Sequence, residues 1–405
     1  MRFLAVLAMA AAIAGGTPDQ PDVNVNSRYT IGRITLDPER KLSRMLREDI
    51  HKLVGQKLNQ NTLDAIRERL KQETGARVVA QKLVRGDKPE TVNVVLELRY
   101  GKRGIDTTIP KLVYISRLGW SGEVDLEGHV AGNTIGIGYA DDGESLAERF
   151  EGVHGYYERK ELWGRKVGFR FDFEDYDTRW NRVTLDALDQ TAGPYRTRLN
   201  FQPVVTARLW GPLTWSGGLS FERLETPQTA APVQGAHAVV QTLRLRQQWS
   251  ESGLKQTLEA GYNLRAATRI VNSNFVYARH QFDASYKIQD GSQELVVRGT
   301  GGVISGNAPL FERFVAGNTS LLRGYSLFDL APMGATRLAA GTVEYHNHGV
   351  EAFYDAGTVW DEGGPARVRH SIGCGYATRK GAMVAVAFPL RGDFSFPMFF
   401  VGVNF

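Results

Sequence analysis

Residues 168–174 read Gly-Phe-Arg-Phe-Asp-Phe-Glu, so that aromatic and charged side chains alternate from one position to the next. Successive side chains of a β-strand point to opposite faces of the sheet, and the alternation therefore predicts a strand with one apolar and one charged face. Residues 243–246, Leu-Arg-Leu-Arg, repeat the pattern. In a soluble sandwich another sheet packs on the apolar face, whereas in a transmembrane barrel that face meets lipid and the charged face lines a wet lumen. Charges in this number inside strands favour the barrel.

The alternation continues from about Gly122 to Phe405, where helical periodicity is absent. It predicts sixteen antiparallel strands, an even number as in bacterial single-chain barrels, within an all-β transmembrane barrel domain of residues 111–405. The fifth and sixth strands have the least defined boundaries, because Pro203 would remove a ladder hydrogen bond. The longest gap, residues 306–335, separates the eleventh strand from the twelfth. The strands are predicted to begin near Gly122, Asn133, Arg149, Gly164, Thr178, Tyr195, Leu213, His237, Leu254, Phe275, Gln293, Thr336, Val350, Arg367, Ala382 and Ser395.

Composition excludes several other classes of protein. The chain has 405 residues, of which 42% are hydrophobic, 23% charged and 10% aromatic, and this apolar content is too high for a disordered chain. A single cysteine, Cys374, excludes an intramolecular disulfide scaffold. Beyond the first residues no apolar run reaches the length of about 18 residues that a transmembrane helix needs, which excludes a helical membrane protein.

The first residues predict export. Arg2 supplies a positive charge, residues 3–14 are apolar, and Ala12-Ile13-Ala14 fits the small-residue pattern of a cleavage site. We interpret residues 1–14 as a secretory signal peptide, with a buried N-terminal helix as the alternative. Residues 15–27 are polar and contain two prolines, as in a short linker.

Residues 28–100 predict a small α+β module. Two helices, beginning near Pro38 and Asn61, carry apolar residues at three- and four-residue spacing. The segment has 16 basic and 10 acidic residues, but they are scattered at helical spacing, which is typical of solvated helix faces rather than of a nucleic-acid-binding surface. No nucleic-acid partner is therefore expected. Strands are predicted at Tyr29–Leu36, Arg77–Val84 and Thr91–Arg99, which gives the order β-α-α-β-β.

Four motifs lie in and after the long gap between strands. They are Phe-Val-Ala-Gly-Asn-Thr-Ser-Leu-Leu-Arg-Gly-Tyr at 314–325, Gly-Thr-Val-Glu-Tyr at 341–345, Phe-Tyr-Asp-Ala-Gly-Thr-Val at 353–359 and Ser-Ile-Gly-Cys-Gly-Tyr at 371–376. This succession resembles the BamA/TamA and two-partner-secretion transporter superfamily, also called the bacterial surface antigen type, in which POTRA domains precede an outer-membrane barrel. The resemblance covers nearly the whole mature chain and implies that residues 28–100 are a POTRA domain.

The resemblance also implies roles for particular residues. In the superfamily a lid loop between the eleventh and twelfth strands folds back into the lumen, and its tip carries an Arg-Gly-aromatic motif. The strand that faces the tip carries an aromatic-x-Asp-x-Gly motif. The tip is matched here by Arg323, Gly324 and Tyr325, and the facing strand by Phe353, Asp355 and Gly357.

Strand alternation brings two acids towards this lid. If Asp355 points inward, Glu344 on the preceding strand points inward as well. Arginine forms bidentate hydrogen bonds with carboxylates that lysine cannot reproduce. We therefore predict that Arg323 binds Glu344 and Asp355; the alternative is that Arg323 is a solvated loop residue.

The chain ends in a strand whose alternate residues are apolar. Such an ending looks like the recognition signal of bacterial outer-membrane proteins, and a soluble protein would rarely expose this edge. Pairing of the last strand with the first would cover it. The residues of the predicted signal are Phe399, Val401, Val403 and Phe405.

Signals of catalysis or of a cofactor are weak. The glycine-rich residues 299–302 lack the lysine and hydroxyl residues of a phosphate-binding loop, and residues 346–348, His-Asn-His, offer no evident third metal ligand. Motifs of serine hydrolases and zinc proteases do not occur. The sequence therefore predicts neither an enzyme nor a bound metal or cofactor.

These observations predict a single-POTRA outer-membrane protein that assembles or translocates polypeptides. The lipid bilayer, extended client polypeptides and accessory periplasmic proteins are the expected partners, with the POTRA domain in the periplasm of a Gram-negative-type cell. The sheet edge formed by Thr91–Arg99, or the strand beside it, is the predicted client site, because main-chain hydrogen bonds accept many sequences. The alternatives are a two-partner-secretion-type transporter, a passive porin or surface antigen that handles no polypeptide, and a soluble exported β-protein.

Overall fold

The structure is a computed structural model, and its described residues fall into two compact units, within Met1–Gly101 and Lys102–Phe405. The predicted signal peptide (residues 1–14), the linker (15–27) and Phe405 lie outside the described residues. The described residues are 28–37, 39, 42–74, 76, 78–86, 88–99, 104–130, 132–162, 166–227, 232–251, 254–319, 321–378, 381–391 and 396–403.

The first unit is a three-stranded sheet with two helices. Its core contains the fully buried side chains of Leu46 and Leu63 on the helices and of Val94 and Leu96 on the sheet. Ser43 caps the first helix by accepting a hydrogen bond from the Leu46 amide (3.3 Å). Ser43 also donates hydrogen bonds to the Glu73 carboxylate, and these lower the pKa of the Glu73 carboxyl. The elements are β1 (Thr30–Asp37), α1 (Arg44–Leu53), α2 (Gln60–Thr74), β2 (Val78–Arg85) and β3 (Thr91–Arg99).

The sheet order is β1-β3-β2, with β1 parallel and β2 antiparallel to β3. Of the two strands predicted as a free edge, Thr91–Arg99 is wrong, because it is paired on both sides, whereas the strand beside it, β2, is paired on one side only. Local alternation describes the faces of a strand but not its neighbours. The start of β1 is covered too, since the Gly55 amide donates to the Ile31 carbonyl (2.8 Å) and the Leu58 amide to Tyr29 (2.8 Å). The exposed residues Lys82–Arg85 of β2 form an open edge, and the second half of β1 lies at the opposite edge of the sheet.

The second unit is a closed antiparallel barrel, which confirms the predicted fold. Sixteen long strands form the wall among the described residues, and a three-residue strand, β11, pairs with the end of β10. The strands are β4 (Gly104–Ile115), β5 (Gly119–Val130), β6 (Asn133–Asp142), β7 (Glu148–Leu162), β8 (Val167–Trp180), β9 (Thr197–Trp210), β10 (Leu213–Glu225), β11 (Val233–Gly235), β12 (Ala238–Glu251), β13 (Leu254–Ala267), β14 (Val276–Asp290), β15 (Gln293–Asn307), β16 (Arg337–Asn347), β17 (Val350–Trp360), β18 (Arg369–Ala377), β19 (Ala382–Pro389) and β20 (Met398–Val403).

The count of sixteen is right, but the prediction contains one false strand and omits one true strand. No strand begins at Thr178, because β8 continues to Trp180 and is followed by helix α3 (Arg182–Leu188). The Asn181 side chain caps this helix by accepting from the Val183 amide (2.9 Å). The first strand, β4, was not predicted and begins at Gly104, seven residues before position 111. One omission and one false strand cancel in the total.

The wall strands alternate between a lipid-type face and an interior face. On β6, Ile135 and Ile137 are each 61% exposed and Tyr139 is 51% exposed, whereas Ala140 is buried. An exposed apolar band of this kind is what lipid contact requires of a transmembrane barrel. In the part of the chain that the structure describes, no helix combines the length and the hydropathy needed to cross a bilayer.

Lysine on the outward face should cost more stability than lysine on the inward face of the same strand. Phe282 of β14 is 53% exposed, and Ser285 lines an interior cavity of 690 Å³. Phe282→Lys should lower the free energy of unfolding in lipid by about 2–4 kcal/mol, because a cation then faces hydrocarbon. Ser285→Lys should change it by about 0.5 kcal/mol or less. Urea titration in vesicles, with Phe282→Leu as the control for loss of the ring, measures both; equal losses would contradict this assignment of faces.

Candidate functional site

The loop between β15 and β16, residues 308–336, folds into the barrel, and we call it the lid. It contains a 3₁₀ turn at Leu310–Glu312 and the one-turn helix α4 (Leu327–Leu330). Its ion pairs reach Arg265 on β13 and Asp355 on β17, four strands apart, so the loop lies against the inner face of the wall. Its buried side chains include Phe311, Phe314, Leu322, Arg323, Tyr325 and Leu327.

Arg323 lies against both predicted acids. Its Nε donates to Oδ2 of Asp355 (2.9 Å) and its Nη2 to Oδ1 (2.7 Å), which is a bidentate pair, and its Nη1 lies 2.9 Å from Oε1 of Glu344. The Arg323 amide also donates to Asp355 Oδ2 (2.9 Å). The guanidinium stacks on Phe353, with Cζ 3.5 Å from the ring centre. Arg323 is 8% exposed, Asp355 1% and Glu344 4%, so the charges neutralise one another away from solvent.

The two carboxylates have further partners that hold them in place. Thr342 donates to Oδ1 of Asp355 (2.9 Å), and Arg298 Nη1 lies 2.8 Å from Oε2 of Glu344. Two arginines and two carboxylates thus form one connected group, in which Arg298 belongs to β15, the strand that precedes the lid. Neither carboxylate depends on Arg323 alone for orientation.

Gly324 and Tyr325 bring the lid tip against the next strands of the wall. Gly324 has φ +92°, and a Cβ there would lie 3.2 Å from the Pro389 amide nitrogen and 3.3 Å from the Ala387 side chain. A positive φ and close packing together require glycine. Tyr325 is fully buried, and its hydroxyl lies within hydrogen-bond distance of the carbonyl oxygens of His370 (3.2 Å) and Leu390 (3.4 Å).

The wall motif shapes the surface on which the tip rests. Phe353 supplies the ring beneath Arg323, and a Cβ on Gly373 of the neighbouring strand would lie only 2.1 Å from that ring. At Gly357 a Cβ would lie 2.9 Å from the Ala340 side chain. These two glycines therefore allow close approach of side chain and backbone, although the functional role of the motif stays a prediction.

The C-terminal residues lie on the outside of the wall. Phe399 is 52% exposed and Val401 44%, on the same face as Val403, while Phe405 lies outside the described residues. Strand β20 pairs with β4 and so closes the barrel. Recognition of these residues as an assembly signal stays a prediction.

Sequence reasoning missed a second buried ionic group at the start of the lid. Glu312 is 6% exposed, accepts from the Tyr277 hydroxyl (3.0 Å) and pairs with Arg265, which also lies 2.7 Å from Glu222. Arg279 lies 3.8 Å from the same Glu312 carboxylate. An acid between two phenylalanines at 311 and 314 was the available signal, but its partners are far apart in sequence.

One group among the described residues could hold a metal ion. Glu123, Asp125 and His154 offer one ligand atom each, all within 4.8 Å of one another. His154 Nε2 lies 2.7 Å from Asp125 and 3.2 Å from Glu123, which are hydrogen-bond distances. His346 lies by Glu344 (3.4 Å) and does not belong to this group.

Residues 166–401 match the sequence model of the Omp85 superfamily domain. Among solved structures, the chain is similar to BamA from Haemophilus ducreyi lacking POTRA domains 1–3, with a TM-score of 0.60 and 14% identity over 93% of this chain and 84% of that chain. It is also similar to CdiB from Escherichia coli, with a TM-score of 0.56 and 12% identity over 93% of this chain and 76% of that chain. For CdiB from Acinetobacter baumannii the TM-score is 0.57, with 12% identity over 93% of this chain and 74% of that chain. No curated protein matches the chain. At these identities the solved structures establish a shared fold.

Removal of the Arg323 side chain should destabilise the barrel strongly. Arg323→Ala leaves Asp355 and Glu344 buried without this guanidinium, and we expect a loss of about 3–5 kcal/mol in the free energy of unfolding. Arg323→Lys should recover only part of it, because lysine cannot make the bidentate pair. Urea titration of the barrel in detergent measures both.

The matched control is Arg337→Ala. Arg337 pairs with Glu362 at 2.8 Å, but Glu362 is 83% exposed, so this substitution should cost about 0–1 kcal/mol. If Arg323→Ala lowered the free energy of unfolding no more than Arg337→Ala does, the lid contact would not stabilise the barrel as we expect.

Proposed function

The chain belongs to the Omp85 superfamily, and on this premise we propose that it assembles or translocates client polypeptides at the outer membrane. Superfamily membership and the outer-membrane barrel support assembly or secretion transport in general, as a transporter or assembly factor rather than an enzyme. The finer proposal is that its first unit is a periplasmic POTRA domain that receives the client, and that the lid controls what the barrel does with it.

The buried contact of Arg323 with Asp355 and Glu344 carries the proposal. A passive porin needs an open lumen, whereas here a folded loop occupies the interior and is held by charges withdrawn from water. A buried charge of this kind is stable either when it is paired with its partners or when it is fully solvated. A partly separated, partly desolvated arrangement has a higher free energy than either. Such a contact suits a lid that is either docked or released.

Client capture is proposed at the open edge of the first unit. Residues Lys82–Arg85 are exposed at the end of β2, whose other side pairs with β3. The start of β2 is less open, because Arg67 donates to the Val79 carbonyl (2.8 Å). An extended client added beside Lys82–Arg85 would bind through main-chain hydrogen bonds, and Lys82 and Arg85 would favour acidic clients.

Arg323→Ala should reduce activity while the barrel remains folded. The measurement compares outer-membrane and extracellular protein fractions of cells that express the wild type, Arg323→Ala or the control Arg337→Ala, by quantitative mass spectrometry. Heat-dependent gel mobility shows in the same cells that the barrel has folded. Full activity of folded Arg323→Ala would refute the role of the lid, and unchanged fractions after deletion of the whole chain, together with steady single-channel conductance, would favour the passive porin.

A photo-crosslinker placed at the β2 edge should capture polypeptide in cells. Leu83 is 41% exposed on the open half of β2, and Met45, 71% exposed on α1, is a matched control on the same unit. We expect crosslinked adducts at position 83 that exceed those at position 45, because only the strand edge offers unpaired backbone groups. Equal capture at both positions would contradict binding by strand addition.

A further inference from the structure

Two inward-facing side chains meet across an intervening strand of the wall. Asp125 of β5 lies opposite Gly138 of β6, and Gly138 lies opposite His154 of β7, so these residues form one row. Glu123 precedes Asp125 by two positions and therefore points to the same face. Nε2 of His154 lies 2.7 Å from Oδ1 of Asp125 and 3.2 Å from Oε1 of Glu123. We call Glu123, Asp125 and His154 the β5–β7 site.

Gly138 leaves open the space in which these groups meet. A Cβ at this position would lie 2.5 Å from Nε2 of His154 and closer still to Oδ1 of Asp125. Its φ is outside the left-handed region, so space rather than backbone conformation is what requires glycine here. Any other residue on β6 would push the carboxylate and the imidazole apart.

The β5–β7 site has more negative than positive charge. Among the described residues, His154 is the one cationic group within ion-pair distance of either carboxylate. At the lid tip, by contrast, two arginines face two carboxylates. A protonated His154 leaves one negative charge in excess and a neutral His154 leaves two, in a place where Asp125 is only 6% exposed. A divalent cation beside a neutral imidazole balances both carboxylates.

The imidazole of His154 is buried and directed at the two carboxylates. His154 is 9% exposed, and its Nδ1 has no hydrogen-bond partner in the part of the chain that the structure describes. The polar contacts of the ring there are those of Nε2 with Asp125 and Glu123. Metal ligands must be deprotonated, and once Nε2 gives up its proton, its lone pair and two carboxylate oxygens converge on one point.

The exposure of Glu123 and the chemistry of the three ligands indicate which ion fits. The side chain of Glu123 is 35% exposed, so a cation can enter from the lumen and keep water in its remaining positions. One imidazole and two carboxylates suit Zn²⁺, whereas Ca²⁺ and Mg²⁺ prefer oxygen ligands alone. Ligands about 2.0–2.2 Å from a tetrahedral Zn²⁺ stand about 3.3–3.5 Å apart, so His154 and Asp125 need to separate by less than about 1 Å.

We infer that Glu123, Asp125 and His154 bind a divalent transition-metal ion of the Zn²⁺ type inside the barrel. The protein ligands are Nε2 of His154 and one oxygen of each carboxylate, and water completes the coordination. The bound ion links β5 to β7 across β6, over Gly138. Because the ligands lie on strands that are not neighbours, no local spacing in the sequence indicates the site. The inference does not depend on client handling.

Equilibrium dialysis of the full chain against buffered Zn²⁺ tests the site, with the protein in lipid nanodiscs and free of any polyhistidine tag. Elemental mass spectrometry should find one tightly held Zn²⁺ per wild-type chain. Asp125→Asn and His154→Gln each remove a ligand and should lower the affinity at least about ten-fold, since even changes outside the ligand shell cost about 10–100-fold. An equal concentration of Ca²⁺ should not displace the Zn²⁺. Heat-dependent gel mobility shows that each variant has folded.

Gly138→Ala tests the space without removing a ligand. The added methyl group would lie between Asp125 and His154 and should weaken Zn²⁺ binding at least about ten-fold. Gly136→Ala is the matched control on the same strand and face. Its methyl group would meet the ring of Tyr156, which is not a ligand, and should leave the affinity for Zn²⁺ unchanged.

Several results would overturn the site. They are a wild-type chain that retains no Zn²⁺, Zn²⁺ binding that survives both Asp125→Asn and Gly138→Ala, and a loss in Gly136→Ala as large as the loss in Gly138→Ala. Displacement of Zn²⁺ by an equal concentration of Ca²⁺ would overturn the assignment to a transition metal. If Gly138→Ala does not fold, Asp125→Asn and Glu123→Gln decide, because both keep the shape of the side chain and remove its charge.

Discussion

Burial of the Arg323 guanidinium with the carboxylates of Asp355 and Glu344 is the constraint on which the interior depends. Burying any one of these charged groups without a partner would cost several kcal/mol of desolvation free energy. They are buried together because their opposite charges and mutual hydrogen bonds compensate that cost. The lid can therefore dock in one register, with the tip beside β17. The close approach of Gly324 to β19 follows from that register, since the tip cannot bind Asp355 without lying on the neighbouring strands.

The other end of the lid repeats this logic with the charges exchanged. At the tip a cation of the lid meets acids of the wall, whereas at Glu312 an acid of the lid meets Arg265 and Arg279 of β13 and β14. A lid docked the wrong way round would bring like charges together at both ends, which is strongly unfavourable in a low-dielectric interior. The two anchors therefore give the lid a direction as well as a position. Specificity of this kind is the best-supported use of buried ionic groups.

Features with a local periodic pattern could be predicted from the sequence, and features set by distant partners could not. Alternation predicted the barrel, and the lid motif implied by the family resemblance, together with strand facing, predicted that Glu344 and Asp355 meet Arg323. Strand β4 was not predicted because charged and apolar residues do not alternate along it. Its interior face is apolar at Val113 and Ile115. Its register also shifts between Thr108 and Lys111, around Pro110. The central place of β3 and the partners of Glu312 depend on contacts between distant segments, which no local pattern records.

The apolar interior of β4 also explains why the lid tip and the pairing between β20 and β4 belong together. Val113, Ile115, Met398 and Phe400 are buried in one cluster with Phe353 and Ala387. An apolar patch that faced a wet lumen would lose the stabilisation that burial gives it. Arg323 stacks on Phe353 and Gly324 packs on Ala387, so the lid tip contacts this cluster directly. Lifting the tip would expose these side chains to water, so docking of the lid stabilises the strands on both sides of the pairing between β20 and β4.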